Sequence, residues 1–169
     1  LKRGLVDVVV SSDPIDDPDI RFVPLFHYEV VLALSPQHPL VAEEVVTPQM
    51  LAGETVITYP VNRNRLDIFS RFLTPAGVEP AATRSSELTV MIAQWVASNR
   101  GVAALPAWAI VDELAQGRIV ARPLGEGGIH TTLFLALRQQ ECDQAYVAAF
   151  IETARAAALK TLKDIQLAS

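Results

Sequence analysis

The segment 59–65, with the sequence YPVNRNR, carries side chains suited to holding a small acid. A guanidinium group such as that of Arg63 or Arg65 can donate two parallel hydrogen bonds to a carboxylate. If Asn62 or Asn64 caps a helix, the free backbone amides of the first turn also attract an anion. The candidate ligand contacts in this segment are Tyr59, Pro60, Asn62, Arg63 and Arg65. The alternative interpretation is a solvated turn with two surface arginines.

Two further groups of candidates stand at the ends of apolar runs. The hydroxyls of Ser11 and Ser12 follow the run LVDVVV and could contact a ligand beyond the end of a strand. Asp13 could pair with an ammonium group, or it could form an ordinary Asx turn. Leu105 and Pro106 could provide an apolar wall for a ligand side chain, a role that is compatible with simply ending a strand.

No residues in the chain have the spacing of a catalytic or metal centre. His27, His38 and His130 are far apart in sequence, and Cys142 is the only cysteine, so no metal-ligand pattern is present. No nucleophile elbow or phosphate-binding loop follows a strand, and the glycine-rich run 125–128 precedes one. The sequence therefore predicts a protein that is not an enzyme and that binds a small-molecule ligand without a metal or cofactor.

Strands and helices alternate along the chain, which is the pattern of an α/β fold. Predicted strands cover 5–10, 22–25, 28–34, 55–58, 102–105, 119–124 and 131–137. Predicted helices cover 48–52, a segment after Asn62 or Asn64 that stops at Pro75, 88–96, 108–115 and 143–165. Breaks at 35–39 and 125–128 predict two lobes, one formed by residues 1–36 with 128–169 and one by residues 37–127.

The helix and strand on either side of Gly101 give the clearest pattern. Apolar residues recur at the spacing of one helical face at Leu88, Met91, Ile92, Trp95 and Val96. Ser85 and Ser86 stand where hydroxyls cap a helix, and Gly101 follows the helix end. The uninterrupted apolar run 102–105 predicts a parallel strand covered on both faces, which Pro106 ends.

Composition narrows the class of protein. With 169 residues, 50% of them hydrophobic and 20% charged, the chain can form one domain or two small lobes. Its net charge of −5 argues against a nucleic-acid surface on this segment. A single cysteine excludes an internal disulfide and favours the cytoplasm. No apolar run approaches the roughly 18 residues of a membrane span, so no membrane partner is expected.

Three motifs resemble the effector-binding domain of LysR-type transcriptional regulators. They are GLVDVVVSSDP, YEVVLALSPQHPL and WVASNRGVAALP, in that order, and the resemblance covers nearly the whole chain. It implies two Rossmann-like lobes of the type 2 periplasmic-binding-protein fold, joined by two crossover strands, with a ligand cleft between them. It also implies a homodimer or homotetramer that binds DNA through a winged helix-turn-helix outside these residues, with RNA polymerase as a further partner.

Within this family, the segments LSPQHPL, TYPVNRNRLDIFSRFLTPAGVEP and VAALPAW resemble members that sense homocysteine and control methionine biosynthesis genes. Two rival classes share the expected architecture: the solute-binding protein of a transporter, and an enzyme such as a prephenate dehydratase-like domain. Because the chain begins without methionine, directly before the strand 5–10, we expect a piece of a longer polypeptide. That expectation includes exposed apolar surface beside 5–10 and low solubility when the piece is expressed alone.

Overall fold

The computed structural model describes residues 1–168, which form two compact units. Unit 1 comprises residues 1–28 and the chain from His130 onward, and unit 2 comprises Glu29–Ile129. The strands are β1 (Val8–Ser11), β2 (Ile20–Leu34), β3 (Thr55–Thr58), β4 (Ala82–Ser85), β5 (Ala103–Pro106), β6 (Val120–Pro123), β7 (Ile129–Arg138) and β8 (Ile165–Leu167). The α-helices are α1 (Thr89–Ala97), α2 (Val111–Ala115) and α3 (Ala145–Thr161).

The chain passes from one unit to the other within two strands, β2 and β7, and not in the loops that the sequence predicted as boundaries. The predicted strands 22–25 and 28–34 are one strand, β2, which enters unit 2 at Glu29. The return lies at the start of β7, between Ile129 and His130. The predicted lobe boundaries after 36 and after 127 fall in the loops next to these two strands. The interruption predicted at residues 26–27 is absent, and Pro24, which lay inside the first predicted strand, is within β2 as well.

In unit 2, β3, β4, β5 and β6 run in the same direction, and β2 runs in the opposite direction. β3 pairs with β4 in parallel, and Val56 forms a parallel bridge with Val102 just before β5. The part of β2 in this unit is antiparallel to both β5 and β6. The strand order is therefore β4, β3, β5, β2, β6. The run around 102–105 is thus parallel to one neighbour and antiparallel to the other, which corrects the prediction of a purely parallel environment.

Helix α1 packs on this sheet through a narrower stripe than the sequence predicted. Ile92 and Val96 are fully buried and Trp95 is partly buried against the same cluster. Leu88 and Met91, which the apolar spacing placed on the buried face, are 59% and 40% exposed. Leu88 precedes the first helical residue, and Met91 lies one residue, about 100°, around the helix from Ile92.

Several predicted helices of unit 2 are shorter or wound differently. The segment 48–52 forms only a 3-10 turn, Pro48–Leu51, and 108–115 divides into the 3-10 turn Ala107–Ile110 followed by α2. The predicted helix after Asn62 is a 3-10 turn, Arg63–Arg65, followed by a π-helix, Ile68–Leu73. A spacing of three or four apolar residues does not distinguish a π-helical turn from an α-helical turn.

Unit 1 consists of strands with one long helix. β1 is antiparallel to β7, β7 is hydrogen-bonded to β2, and β8 is antiparallel to β2 at Phe26–Tyr28. β1 begins at Val8, three residues later than predicted. The predicted helix 143–165 ends at Thr161, because Leu162 is extended and Asp164 has a left-handed φ of 56° that turns the chain into β8. No helix within residues 1–168 is both long and apolar enough to cross a membrane.

Ionic contacts hold the first residues of unit 1. The Arg138 guanidinium donates to the carbonyls of Leu1 and Val6, and it pairs with Asp7 at 2.7 Å. It also binds Glu141 at 2.9 Å, and these carboxylates raise the pKa of Arg138. These contacts compensate for sparse apolar packing, since Leu5 is 82% exposed. Val6, Val9 and Val10 are also exposed, as expected for the surface beside β1.

Candidate functional site

The carboxyl ends of three strands lie at one edge of unit 2. β3 and β4 are parallel, with Thr58 opposite Ser85, and the bridge between Val56 and Val102 gives β5 the same direction. Thr58, Ser85 and Pro106 are therefore strand ends on the same side. We call Thr58, Tyr59, Ser85, Ser86 and Pro106 the carboxyl edge. Ligands of open α/β sheets bind at such an edge, where loops and helix starts leave polar groups unpaired.

Tyr59 links this edge to the start of α1. Its hydroxyl and Thr89 Oγ1 are 2.8 Å apart, and either oxygen can be the donor. The ring of Tyr59 is half-buried against the core cluster that contains Ile57 and Ile92, which limits the positions of the hydroxyl. A ligand oxygen can complete the hydrogen bonding of this pair, since each hydroxyl can both donate and accept.

The first turn of α1 offers backbone donors. Leu88 occupies the N-cap position and supplies no side-chain cap, while Ser86 Oγ accepts from the Leu88 amide at 3.3 Å. The amides of Met91 and Ile92 donate to the Leu88 carbonyl. No acceptor within residues 1–168 meets the amides of Thr89 and Val90. Such amides, together with the positive end of the helix dipole, are suited to a carboxylate.

The structure places the predicted segment 59–65 differently. Asn62 does cap a turn, as its side chain accepts from the Asn64 amide at 3.0 Å and its carbonyl accepts from the Arg65 amide. That turn is a three-residue 3-10 turn, so the free amides of a helix start are at Thr89 instead. Pro60 and Arg65 are exposed beside it.

Arg63 already has intramolecular partners. Its guanidinium contacts the Glu79 carboxylate and lies over the ring of Phe69, 4.0 Å from the ring centre. Ligand binding by Arg63 would have to compete with both contacts. Glu79 is 16 residues away in sequence, so the segment itself gave no sign of this pairing. The ligand roles of Arg63 and Arg65 stay predictions.

Leu105 and Pro106 differ in accessibility although they are neighbours. Leu105 is 1% exposed and belongs to the core cluster of unit 2. Pro106 is half-buried and pairs with Val30 at the end of β5. Only Pro106 therefore has surface to offer an apolar ligand group at the carboxyl edge.

The serine candidates belong to unit 1. Ser11 ends β1 opposite Phe134, and its Oγ accepts a hydrogen bond of 3.1 Å from the Asp13 amide. This turn is therefore closed by the serine hydroxyl, in the manner of an Asx turn. Ser12 is exposed next to it. Their roles as ligand contacts also stay predictions.

The sequence pattern identified neither Thr58 of the carboxyl edge nor Thr89 beside it, and it gave Ser85 a different role. Thr89 was not a candidate, although a threonine three residues after Ser86 at the start of an apolar helix was a usable signal. Ser85 was predicted to cap a helix, but it ends β4, a strand that the sequence pattern did not indicate. Within the described residues 1–168, no three His, Cys, Asp or Glu side chains are arranged to hold a metal ion.

The profile of the LysR substrate binding domain matches residues 1–159, which is most of the chain. The chain belongs to the LysR substrate binding domain family. This membership confirms the resemblance and the α/β fold of the type 2 periplasmic-binding-protein class that it implied.

Individual relatives agree with the LysR assignment. The transcriptional regulator MetR of Escherichia coli K12 is 43% identical over 155 residues, which are 92% of this chain and 48% of that protein. MetR of Salmonella typhimurium is 39% identical over the same length. The regulatory domain of MetR from Neisseria meningitidis, a LysR family regulator, superposes with a TM-score of 0.88 at 36% identity, covering 100% of this chain and 80% of that domain.

The chain spans about half the length of the curated relatives it matches. These relatives are transcriptional regulators, neither enzymes nor solute-binding proteins of transporters. The family assignment therefore favours an effector-binding domain over both rival classes that the sequence left open.

Proposed function

We propose that the chain is the sensing part of a longer cytoplasmic LysR-type transcriptional regulator, and that its effector is homocysteine or a related metabolite. The observation that carries the proposal is the 43% identity to the E. coli regulator MetR across 92% of the chain. In this proposal the target genes are those of methionine biosynthesis. DNA binding belongs to a separate domain, consistent with the net charge of −5 on this chain.

The chemistry of the carboxyl edge supports an amino-acid effector. The amides of Thr89 and Val90 offer two donors to a carboxylate at the positive end of α1. In this proposal the paired hydroxyls of Tyr59 and Thr89 form hydrogen bonds that orient the carboxylate of the effector. The half-buried ring of Pro106 offers an apolar contact to the thioalkyl chain.

Regulation then requires that the effector binds one arrangement of the regulator more tightly than another. A tenfold shift in the equilibrium between two arrangements needs a difference of about 1.4 kcal/mol in the binding free energy of the effector. This is the contribution of one or two hydrogen bonds. The remaining partners in the proposal are a second copy of the regulator, as homodimer or homotetramer, and RNA polymerase at the promoter. No cofactor besides the effector is needed.

Calorimetric titration of the intact regulator with L-homocysteine tests the effector. We expect saturable binding below millimolar concentration. Replacing Tyr59→Phe or Thr89→Val removes one hydroxyl of the pair and should weaken binding about 2- to 12-fold, since a hydrogen bond contributes about 0.5–1.5 kcal/mol. L-methionine, with a methylated sulfur, measures the contribution of the thiol.

The matched control is Thr83→Val, because Thr83 is an exposed threonine on β4 away from the carboxyl edge. It should leave homocysteine binding unchanged. Absence of binding up to millimolar concentration rejects homocysteine as effector. If Thr83→Val and Thr89→Val lose equal affinity for homocysteine, the carboxyl edge is rejected as the binding site of homocysteine.

A further inference from the structure

Unit 2 has a second polar concavity, away from the carboxyl edge. It has a volume of about 480 Å³, and the residues that carry its chemistry are His38, Glu54, Thr55, Arg84, Asn99 and Arg100. We call this set the arginine depression. Glu54 and Thr55 are at the beginning of β3 and Arg100 precedes β5, whereas the carboxyl edge is formed by the opposite ends of these strands. Arg84 is the exception, because it precedes Ser85 of the carboxyl edge in β4 and its side chain lines the depression. The two sites are thus separate places on the same unit.

The two arginines of this depression, Arg84 and Arg100, differ from other arginines of unit 2 in their side-chain contacts. Within residues 1–168, neither guanidinium makes an ion pair or hydrogen bond. In contrast, other arginines of unit 2 are engaged, as Arg118 is with Glu113 and Arg122 is with the carbonyls of its neighbours. Two unpaired guanidinium groups lining one concavity repel each other, and an oxyanion between them would remove that cost.

The backbone beneath Arg100 is tightly held. The Arg100 amide donates to the Trp95 carbonyl at 2.9 Å, after Asn99 in a left-handed conformation with φ of 54°. Gly101 has φ of 148°, and a side chain there would place Cβ 2.5 Å from the Thr55 carbonyl oxygen. Binding therefore has to order only the arginine side chains and not the loop, which limits its entropic cost.

Arg84 is also on regular structure. It pairs with Ile57 in the ladder between β3 and β4, and the Thr58 hydroxyl donates to its carbonyl at 3.5 Å. Both arginines of the depression are therefore presented from fixed backbone positions on neighbouring elements. Arginine forks fixed in this way suit the bidentate recognition of carboxylate or phosphate.

The negative group of the depression is already engaged. His38 is buried, and its Nδ1 accepts from the Leu40 amide at 3.2 Å, so the proton is on Nε2. Nε2 donates to Glu54 Oε2 at 3.1 Å. The histidine thus occupies one oxygen of the only carboxylate that lines the depression within residues 1–168. Two arginines against one carboxylate leave the depression with a net positive charge in a chain that is acidic overall.

We propose that the arginine depression binds a small oxyanion, the phosphate or carboxylate group of a metabolite, between Arg84 and Arg100. Asn99 and Thr55 supply neutral hydrogen-bonding groups at its margin. The volume is within the usual range of small-molecule sites, about 300–1,000 Å³, and exceeds what a single phosphate needs. The residues of this site differ from those of the carboxyl edge, although Arg84 is next to Ser85 in β4.

The test is an NMR titration of the intact regulator with inorganic phosphate in one arm and with citrate in the other, at constant ionic strength. We expect saturable shifts of the backbone amides of Gly53, Asn99 and Gly101, with those of Ser86 and Thr89 unmoved. Shifts with phosphate alone, with citrate alone or with both support the proposal and identify the oxyanion.

Arg84→Gln and Arg100→Gln should each weaken binding about tenfold or more, as expected for loss of a charge-assisted hydrogen bond. Both arginines are exposed, so the variants should keep the thermal midpoint of the parent. Arg21→Gln is the control, an exposed arginine in unit 1. The proposal is overturned if neither anion binds up to about 10 mM, or if Arg21→Gln weakens binding as much as Arg84→Gln.

Discussion

The two units differ in what stabilises them. Of the twelve largest fully buried side chains among residues 1–168, eleven belong to unit 2 and one, Leu135, belongs to unit 1. Unit 1 exposes large apolar residues along β1 and α3, including Val10, Tyr146 and Phe150, and secures its first residues with ionic contacts. Unit 2 should therefore respond mainly to changes of packing, and unit 1 to changes of charge.

The largest effect should come from truncating the core of unit 2. Ile92 is fully buried in the cluster between α1 and the sheet, and Ile92→Ala leaves a cavity there. We expect the free energy of unfolding to fall by about 2–5 kcal/mol. Denaturant unfolding measures it.

The matched control is Val90→Ala on the same helix. Val90 is 57% exposed, so its truncation should change the free energy of unfolding by less than about 0.5 kcal/mol. If the two variants lose similar amounts of stability, the buried stripe of α1 is not the one described, and the contrast between the units loses its main support.

The same packing explains which elements could be predicted from sequence. α1 and β5 carry dense apolar runs ended by glycine and proline, so their positions were predicted within one or two residues. β4 was missed because its sequence ATRS is exposed along its whole length and shows no apolar alternation. β8 was missed because it has only three residues and its first residue, Ile165, was assigned to the end of the preceding helix.

The candidate site was predictable only where the signal is local. Tyr59 and Asn62 follow a strand and begin a turn, and both features can be read from neighbouring residues. The pairs between Arg63 and Glu79 and between Tyr59 and Thr89 join residues 16 and 30 positions apart. Such pairs depend on how elements pack, and a single sequence does not encode them in any short pattern.

A smaller and more local effect is expected in unit 1 from Arg138→Gln. This change removes the ionic partner of Asp7 and Glu141 and weakens the donors to the Leu1 and Val6 carbonyls. Amide hydrogen exchange of residues 1–7 should become about two- to fivefold faster, the range for loss of solvent-accessible ion pairs. Exchange in α1 should not change. Arg21→Gln is the control. If amide exchange of residues 1–7 became equally fast in Arg21→Gln, Arg138 would have no special role.

The smallest effect concerns the contact between Lys2 and Asp17. Lys2 Nζ is 2.7 Å from Asp17 Oδ2, and this hydrogen bond, followed by that from the Asp19 amide, lowers the pKa of Asp17 below its ordinary value of 3.8. The same contact, with a second one to Asp19, raises the pKa of Lys2 above 10.5.

Because the pKa of Asp17 is lowered on folding, its contribution to stability is fully present above pH 3.8 and is lost as the pH falls through the lowered value. The contribution of Lys2 is present below pH 10.5 and is lost as the pH rises through its raised pKa. The pair therefore acts over the whole neutral range. Lys2 is exposed and Asp17 is half-buried at the surface. Solvent around Lys2 screens the pair, so the effect on global stability should be slight.

An NMR titration of the Asp17 carboxyl carbon measures this contact directly. In Lys2→Gln, the pKa of Asp17 should rise towards 3.8 but stay below it, since the Asp19 amide still donates to Oδ1 at 3.0 Å. Lys163→Gln, an exposed lysine in the same unit, should leave the pKa of Asp17 unchanged. A pKa of Asp17 that does not respond to Lys2→Gln would mean that charge does not hold this end of unit 1, and the comparison would then rest on packing alone.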